Sequence, residues 1–169
     1  MTTSTICVYT DGSCLYNGSQ SAQGGWSVVI ENKVKQLRLS GRESPTTNQR
    51  MELKAIIEGL KSIKATHKEI HVYTDSAYAK DGCEKWRHTW KRLGWLKKSD
   101  KKPIENVDLW KELDALLEQL NVRFHKVKGH SGHPQNELAD VLAVMASRGT
   151  VVKKYGKAGN YDCSWDDES

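Results

Sequence analysis

The sequence predicts an α/β protein: a mixed five-stranded sheet, three strands antiparallel and two further strands parallel, with helices on both faces. Two observations lead to this prediction. Residues 25–31 and 34–40 flank Asn32-Lys33, and the second segment alternates apolar and polar residues, which is typical of a hairpin. The tetrapeptide Val-Tyr-Thr-Asp occurs at 8–11 and again at 72–75. A helical crossover between the two copies would make their strands parallel.

The first, fourth and fifth strands are predicted at 5–11, 69–74 and 121–127, where β-branched and aromatic residues predominate. The first strand is expected to end at Asp11, with a polar loop at 13–24. Strands one, four and five should be parallel because helical segments connect them.

Five helical segments complete the pattern, one of them in the basic, Trp-bearing segment that follows residue 83. The first begins near Thr47 or Asn48, both good N-caps, and a short one covers 76–83. Another follows Asn106 or Asp108, and the last begins at Pro134, which suits a first helical turn. Helical spacing predicts that the last helix turns four residues inward: Leu138, Val141, Leu142 and Met145.

Composition limits the class of protein. The 169 residues are enough for one domain, with 37% hydrophobic and 28% charged residues. No apolar run approaches the ~20 residues of a membrane span, and the N-terminus lacks signal-peptide features, so we expect no membrane association. Four cysteines without C-x-x-C spacing favour a reducing, cytoplasmic setting.

Positive charge is concentrated in one segment. The net charge is +5, and residues 85–102 contain eight lysines and arginines against Asp100 alone. Trp86, Trp90 and Trp95 lie among these basic residues. Such a mixture suits a nucleic-acid groove, although the i, i+4 spacing of the first two tryptophans also fits core packing.

Acidic residues recur where ligands bind in open α/β sheets. Asp11 and Asp75 follow strands that would be parallel neighbours, and Glu52 and Asp140 on two helices would lie near the same rim. Carboxylates this close repel unless a cation lies between them, which predicts a divalent metal site. The alternative is ordinary turn chemistry for the aspartates and a helix-dipole role for Glu52. The residues alone leave both interpretations open.

Five segments, spanning about 5–148, resemble type 1 ribonuclease H in its prokaryotic form with a basic protrusion. They are Tyr-Thr-Asp-Gly-Ser (9–13), Thr-Thr-Asn-Gln-Arg-Met-Glu-Leu (46–53), Thr-Asp-Ser (74–76), Asn-Val-Asp-Leu-Trp (106–110) and Val-Lys-Gly-His-Ser-Gly-His-Pro-Gln-Asn-Glu-Leu-Ala-Asp (127–140). Any one of these motifs is a weak signal, whereas five in the family's order are specific.

The resemblance implies an endoribonuclease that hydrolyses the RNA strand of RNA–DNA hybrids, leaving 5′-phosphate and 3′-hydroxyl ends. Two Mg²⁺ ions, for which Mn²⁺ can substitute, would activate the attacking water and stabilise the leaving oxygen. Their ligands would be four carboxylates: Asp11, Glu52, Asp75 and Asp140. His130, flanked by Gly129 and Gly132, would move a proton or assist product release.

The resemblance also implies residues that grip the hybrid. Asn17, Asn48 and Gln49 match minor-groove contacts, and Thr47 matches a DNA phosphate contact. The basic segment would hold the DNA strand through Trp86, Trp90, Lys91, Lys97 and Lys98. The protein is expected to act as a monomer.

The sequence departs from the family pattern at the 15–24 loop and at Ala77, which puts the placement of Asn17 and one polar contact in doubt. We expect a catalytic domain at 1–149 and a tail of unknown role at 150–169. Two alternative functions share this fold or surface: a catalytically silent hybrid-binding module and a DNA strand-transferase.

Overall fold

The structure is a computed structural model, and it describes residues 5–63, 66–128 and 133–158 and the backbone of 166–167. The sheet has strand order β5-β4-β1-β2-β3-β6-β7. The bounds of its strands are β1 Ile6–Leu15, β2 Gln23–Glu31, β3 Lys35–Glu43, β4 Glu69–Thr74, β5 Asn121–Lys126, β6 Lys153–Lys157 and β7 Asp166–Asp167.

The predicted mixed sheet is confirmed. Strands β1, β2 and β3 pair antiparallel, and β4 and β5 extend the sheet in parallel from β1. The strand number differs from the five expected, because β6 pairs antiparallel with β3 and β7 pairs with β6. Both additional strands come from residues 150–169, whose apolar and basic residues gave no clear strand pattern. Part of this segment therefore belongs to the sheet.

The first strand is longer than predicted. β1 continues four residues beyond Asp11, because its other edge remains paired with β2 from Cys7–Glu31 through to Leu15–Gln23. Its parallel pairing with β4 ends earlier, at Tyr9 and Tyr73. Asp11 thus lies where β1 leaves β4 but stays in the sheet. The Asp-Gly pair, a common turn signal, is here part of a strand.

Helices cover both faces of the sheet. Their bounds are α1 Asn48–Lys61, α2 Ala77–Asp81, α3 Arg87–Arg92, α4 Val107–Gln119 and α5 Pro134–Ser147. A π-helical turn, Gly82–Trp86, joins α2 to α3, so residues 77–92 form one continuous helical segment. No helix among the described residues is long and apolar enough to cross a membrane.

The larger core lies between the sheet and helices α1 and α4. Trp110 is fully buried at its centre; its ring packs against Trp90, and its Nε1 donates to the Tyr78 hydroxyl. The Arg50 guanidinium connects α1 to α4 through two hydrogen bonds to the Asp108 carboxylate, 2.9 and 3.0 Å long. The Asn-Val-Asp-Leu-Trp motif therefore has a structural basis, since it supplies both an ion-pair partner and the central core ring.

The inward face of the last helix matches the prediction only in part, since Leu142 is buried and Leu138 packs against the same core cluster. Val141 and Met145 are 52% and 38% exposed, whereas Ala139, Leu142, Ala143 and Ala146 are buried. The cause is close packing, because a Cβ on Gly25 of β2 would lie 2.2 Å from the Ala143 carbonyl oxygen. Only small side chains fit at such a separation. Val141 and Met145 consequently remain partly exposed beside the contact between α5 and β2.

Candidate active site

Asp11 lies at the rim of the sheet beside the end of β4. It is 9% exposed, and its Oδ1 accepts a hydrogen bond of 2.9 Å from the backbone N–H of Gly12. Asp75 directly follows Thr74, the last residue of β4, and is exposed. Because β1 and β4 are parallel neighbours, their carboxyl ends bring the two aspartates to one edge, as the tetrapeptide repeat predicts.

Glu52 reaches the same edge because β1 and α1 are in close contact. A Cβ placed on Gly12 would lie 2.6 Å from the Glu52 backbone nitrogen and 2.7 Å from the Met51 carbonyl carbon. Only glycine allows this approach. Ligand oxygens of Asp11, Glu52 and Asp75 consequently lie within 4.8 Å of one another.

Asp140 joins this cluster from α5. It lines a cavity of about 50 Å³ together with Asp11 and Asp75, and it is close enough to the Asp11 carboxyl to contribute to the raised pKa of Asp11. The Ser27 hydroxyl on β2 donates to the Ala139 carbonyl oxygen, which attaches this part of α5 to the sheet. The structure thus brings all four predicted carboxylates together, although Asp140 lies outside the group of three defined by the 4.8 Å separation.

Electrostatic repulsion and burial alter the acidity of this cluster. Burial, followed by the charge of Asp75 and a hydrogen bond with Asp140, raises the pKa of Asp11 to about 8. Burial and the charges of Asp11 and Asp75 raise the pKa of Glu52 well above its ordinary value. The protein without bound cations therefore holds protons that a cation would displace.

The raised pKa of Asp11 predicts how the stability of the metal-free protein depends on pH. The folded protein keeps the Asp11 proton up to about pH 8, whereas an ordinary aspartic acid loses it near 3.8. More protons are bound in the folded state between these values, so the free energy of unfolding should fall as pH rises from 5 to 8, by on the order of a few kcal/mol. Urea unfolding in chelator at several pH values measures this, and a free energy that rises over that range would contradict it.

The atoms of the cluster fit a hard divalent cation. Glu52 Oε2 is buried and has no hydrogen-bond partner, which is costly for a carboxylate unless another group satisfies it. The available donors are carboxylate oxygens, the ligands preferred by Mg²⁺ and Mn²⁺. Asp11, Glu52, Asp75 and Asp140 are the residues that would hold such ions.

Comparison with known proteins identifies this arrangement. The RNase H family model matches residues 3–148. The chain belongs to the ribonuclease H family. Ribonuclease HI of Neisseria meningitidis serogroup B is 51% identical over 139 residues, covering 82% of this chain and 92% of that protein. Ribonuclease H of Rhizobium etli is 46% identical over 156 residues, covering 92% and 98%.

Solved structures agree with this family. LC9-RNase H1, described as a type 1 RNase H with the type 2 active-site motif, superposes with a TM-score of 0.76 at 33% identity, covering 99% of this chain and 79% of that one. The RNase H domain from PFV gives 0.66 at 25% identity, covering 85% and 94%. Divalent-metal use and nuclease activity follow from membership of this family, in agreement with the acidic cluster.

Four predicted substrate contacts of this ribonuclease H lie around the start of α1. Thr47 is the N-cap, and its hydroxyl accepts a hydrogen bond of 3.2 Å from the Arg50 backbone N–H. Asn17 Oδ1 accepts a hydrogen bond of 3.0 Å from the Asn48 backbone N–H. The 15–24 loop therefore brings Asn17 to the start of α1, although its sequence differs from the family pattern. Asn48 and Gln49 are exposed. This group is one helical turn from Glu52 on the same helix.

The predicted DNA-binding segment divides into packed and exposed parts. Trp90 packs at 5.0 Å between ring centroids against Trp110, whereas Trp86 is 41% exposed. Lys91 Nζ lies 3.0 Å from an Asp114 carboxylate oxygen, so its charge is already paired. Lys98 is exposed and Lys97 half-buried, in a loop closed by the Leu96–Pro103 bridge.

One predicted catalytic residue cannot be placed, and two residues that line the site were not predicted. His130 lies outside the described residues. Lys128 and Asn136 line the cavity with the carboxylates, and the Asn136 Nδ2 is buried without a partner. Both lie within the 127–140 motif, so the sequence contained the signal. Neither was singled out, because Lys and Asn are common surface residues.

Proposed function

We propose that this ribonuclease H hydrolyses the RNA strand of RNA–DNA hybrids at the acidic cluster, using two Mg²⁺ ions, and leaves 5′-phosphate and 3′-hydroxyl ends. The convergence of Asp11, Glu52 and Asp75 within 4.8 Å is the observation that supports it most strongly. Clustered carboxylates at this spacing are electrostatically unfavourable without a cation. The family relatives favour cleavage over a silent hybrid-binding module or a strand-transferase.

The four carboxylates act as ligands in this proposal. Asp11 is proposed as the central one, because its carboxyl interacts electrostatically with the carboxyls of Glu52, Asp75 and Asp140. Bound Mg²⁺ would supply Lewis acidity to the scissile phosphate and lower the pKa of a water. The fold itself positions the carboxylates. Asp11 lies in β1, Asp75 directly follows β4, and Glu52 and Asp140 lie in α1 and α5. His130 is proposed to move a proton to the leaving group or to help release product.

Substrate grip is proposed for two surfaces. Asn17, Thr47, Asn48 and Gln49 would meet the hybrid at the start of α1, where amides and a hydroxyl can contact its minor groove and a phosphate. The basic protrusion, residues 85–102, would hold the DNA strand farther along the duplex. The contributing residues are Trp86, Trp90, Lys91, Lys97 and Lys98.

We further propose that the protein is a cytoplasmic monomer with a catalytic domain at 1–149. Cys7, Cys14 and Cys83 are free thiols, as expected in a reducing compartment. The tail at 150–169 is proposed to have a structural role, since β6 and β7 extend the sheet of the catalytic domain.

The proposed chemistry is tested by the ends of the products. An internally labelled RNA paired with DNA is cleaved in Mg²⁺ or Mn²⁺, and the fragments are treated with a ligase that needs 5′-phosphate and with a polymerase that needs 3′-hydroxyl. Both enzymes should accept the fragments. Fragments with 2′,3′-cyclic phosphate ends would refute the two-ion route, because that product requires attack by the RNA's own 2′-hydroxyl.

Removing two charges from the protrusion should weaken substrate binding without altering chemistry. We expect Lys97→Ala/Lys98→Ala to raise KM several-fold at constant kcat and to reduce the slope of log affinity against log salt by about 2. The matched control is Lys33→Ala/Lys35→Ala, which removes two exposed lysines near the turn between β2 and β3. A fall in kcat at unchanged KM, or an equal effect of the control, would contradict the assignment.

A further inference from the structure

Two histidines form a close pair on the sheet face opposite the main core. Alternation along β4 buries Ile70 and Val72 and leaves His71 on the other face, where α5 packs against β1, β2 and β3. His125 on the neighbouring edge strand β5 lies on this face as well. The His71 Nδ1 and His125 Nε2 atoms are 2.6 Å apart. The acidic cluster and the proposed hybrid contacts use neither residue.

The two facing nitrogens form a short hydrogen bond. The two imidazoles are 15° from parallel with centroids 4.9 Å apart, although the facing nitrogens are only 2.6 Å apart. The rings therefore meet edge to edge, so that one nitrogen donates its proton to the lone pair of the other, and a metal ion would take the place of that proton. Tyr73 stacks on His125 at 4.8 Å, and Tyr9 stacks on Tyr73 at 4.8 Å, which holds the pair in orientation.

A carboxylate sets the tautomer of one ring. Glu69 Oε1 lies 2.7 Å from His71 Nε2 and 3.2 Å from Arg123 Nε, so it is fixed between two donors. A neutral His71 that donates its Nε2 proton to Glu69 presents an unprotonated Nδ1 to His125. Metal-binding histidines commonly donate their second ring N–H to a carboxylate in this way. Burial and nearby His71 lower the pKa of His125, which favours the neutral ring that a metal ion requires.

We propose that His71 and His125 form a binding site for a zinc-class transition-metal ion, with Glu69 as the carboxylate that orients His71. Two Zn–N bonds of about 2.0–2.1 Å at a tetrahedral angle separate their nitrogens by about 3.3 Å. The rings therefore need to separate by less than 1 Å, and each needs to tilt by about 35° towards the ion. His125 shifts its proton from Nε2 to Nδ1 on binding. Water completes the coordination, since the His71 side chain is 20% exposed. The ion would pin the edge strand β5 to β4.

Nuclear magnetic resonance of histidine ring nitrogens tests this site in the full chain titrated with Zn²⁺. We expect a saturable one-to-one change at His71 Nδ1 and His125 Nε2. Glu69→Gln should weaken the binding about 10–100-fold. His125→Phe, which keeps a ring against Tyr73, should remove the His71 response, whereas His67→Ala, an exposed histidine before β4, should leave it intact.

Two results would overturn the proposal. One is an absence of saturation at both rings in a tenfold molar excess of Zn²⁺. The other is a Zn²⁺ response confined to histidines other than His71 and His125, such as His133 at the N-cap of α5, which would place the ion elsewhere. Repeating the titration in Asp75→Asn separates this site from the acidic cluster, because the His71 and His125 response should persist there. A Zn²⁺-dependent rise in Tm that His125→Phe abolishes would give independent support.

Discussion

Asp11→Asn should lower kcat by at least about 100-fold while preserving affinity for the RNA–DNA hybrid. Removing a residue that only hydrogen-bonds to a metal ligand typically lowers metal affinity or activity by about 10–100-fold. Asp11 is proposed as a direct and central ligand, so the loss should be at least as large. Asparagine retains the Oδ1 that accepts from the Gly12 N–H, so the local backbone contact survives. Cleavage and binding of a labelled hybrid measure the two effects separately.

The same substitution should stabilise the metal-free protein. At pH 7 the wild-type Asp11 holds a proton that its unfolded form would release, because burial and Asp75 raise its pKa to about 8. Asparagine avoids this cost, so the free energy of unfolding in chelator should rise by on the order of a few kcal/mol. Added Mg²⁺ should stabilise the wild type but not the variant.

Asp81→Asn, at the end of α2, is the matched control for the substitution of Asp11. It removes a carboxylate outside the cluster and should leave both kcat and stability in chelator nearly unchanged. Wild-type cleavage by Asp11→Asn would show that Asp11 is not a ligand. A loss of stability in chelator would show that the carboxylates do not repel one another.

Gly12→Ala should disrupt the site without removing any charged group. The new Cβ would meet backbone atoms of Met51 and Glu52 at 2.6–2.7 Å, which no rotamer change can relieve. Overpacking costs about 1–3 kcal/mol even where side chains can move, so we expect a loss at or above the upper end. The helix must move away from β1, which separates Glu52 from Asp11. We therefore expect kcat to fall at least tenfold as well, measured beside Tm.

Gly59→Ala, on the helix that Gly12 approaches, provides the control for the same chemical change. Its Cβ would approach only the ends of the Val8 and Val28 side chains, at 3.0 Å, and alanine has the higher helix propensity. The two effects oppose each other, so stability should change little and kcat should be retained. Full activity of Gly12→Ala would contradict the view that this close approach positions Glu52.

The sequence predicted the mixed sheet with β1 and β4 as parallel neighbours, and it gave the acidic cluster as one of two interpretations, because both depend on local signals. The repeated Val-Tyr-Thr-Asp placed Asp11 and Asp75 on parallel neighbours, and helix periodicity placed α1. The predicted end of β1 was wrong. Asp-Gly is a local turn signal, whereas the pairing with β2 that continues the strand depends on residues far along the chain. Strands β6 and β7 were missed for the same reason, since the pairing of β6 with β3 and of β7 with β6 is not encoded in their own residues.

The inward face of α5 and the histidine pair show another limit of sequence reasoning. Hydrophobicity favoured Val141 and Met145 as core residues, but the closeness of Gly25 to α5 selects alanines. His71 and His125 are 54 residues apart, and only the strand register brings their nitrogens together. Contacts of this kind depend on packing distances and register, which periodicity does not specify.

The central claim is metal-dependent cleavage of RNA within an RNA–DNA hybrid by the carboxylate cluster. It is tested most directly with one end-labelled RNA presented single-stranded, paired with RNA and paired with DNA, each incubated with Mg²⁺, with chelator and with Asp75→Asn. We predict cleavage of the hybrid alone, only with Mg²⁺, and its loss in the variant. Cleavage that survives chelation or the Asp75 substitution, or that extends equally to single-stranded RNA, would contradict this account.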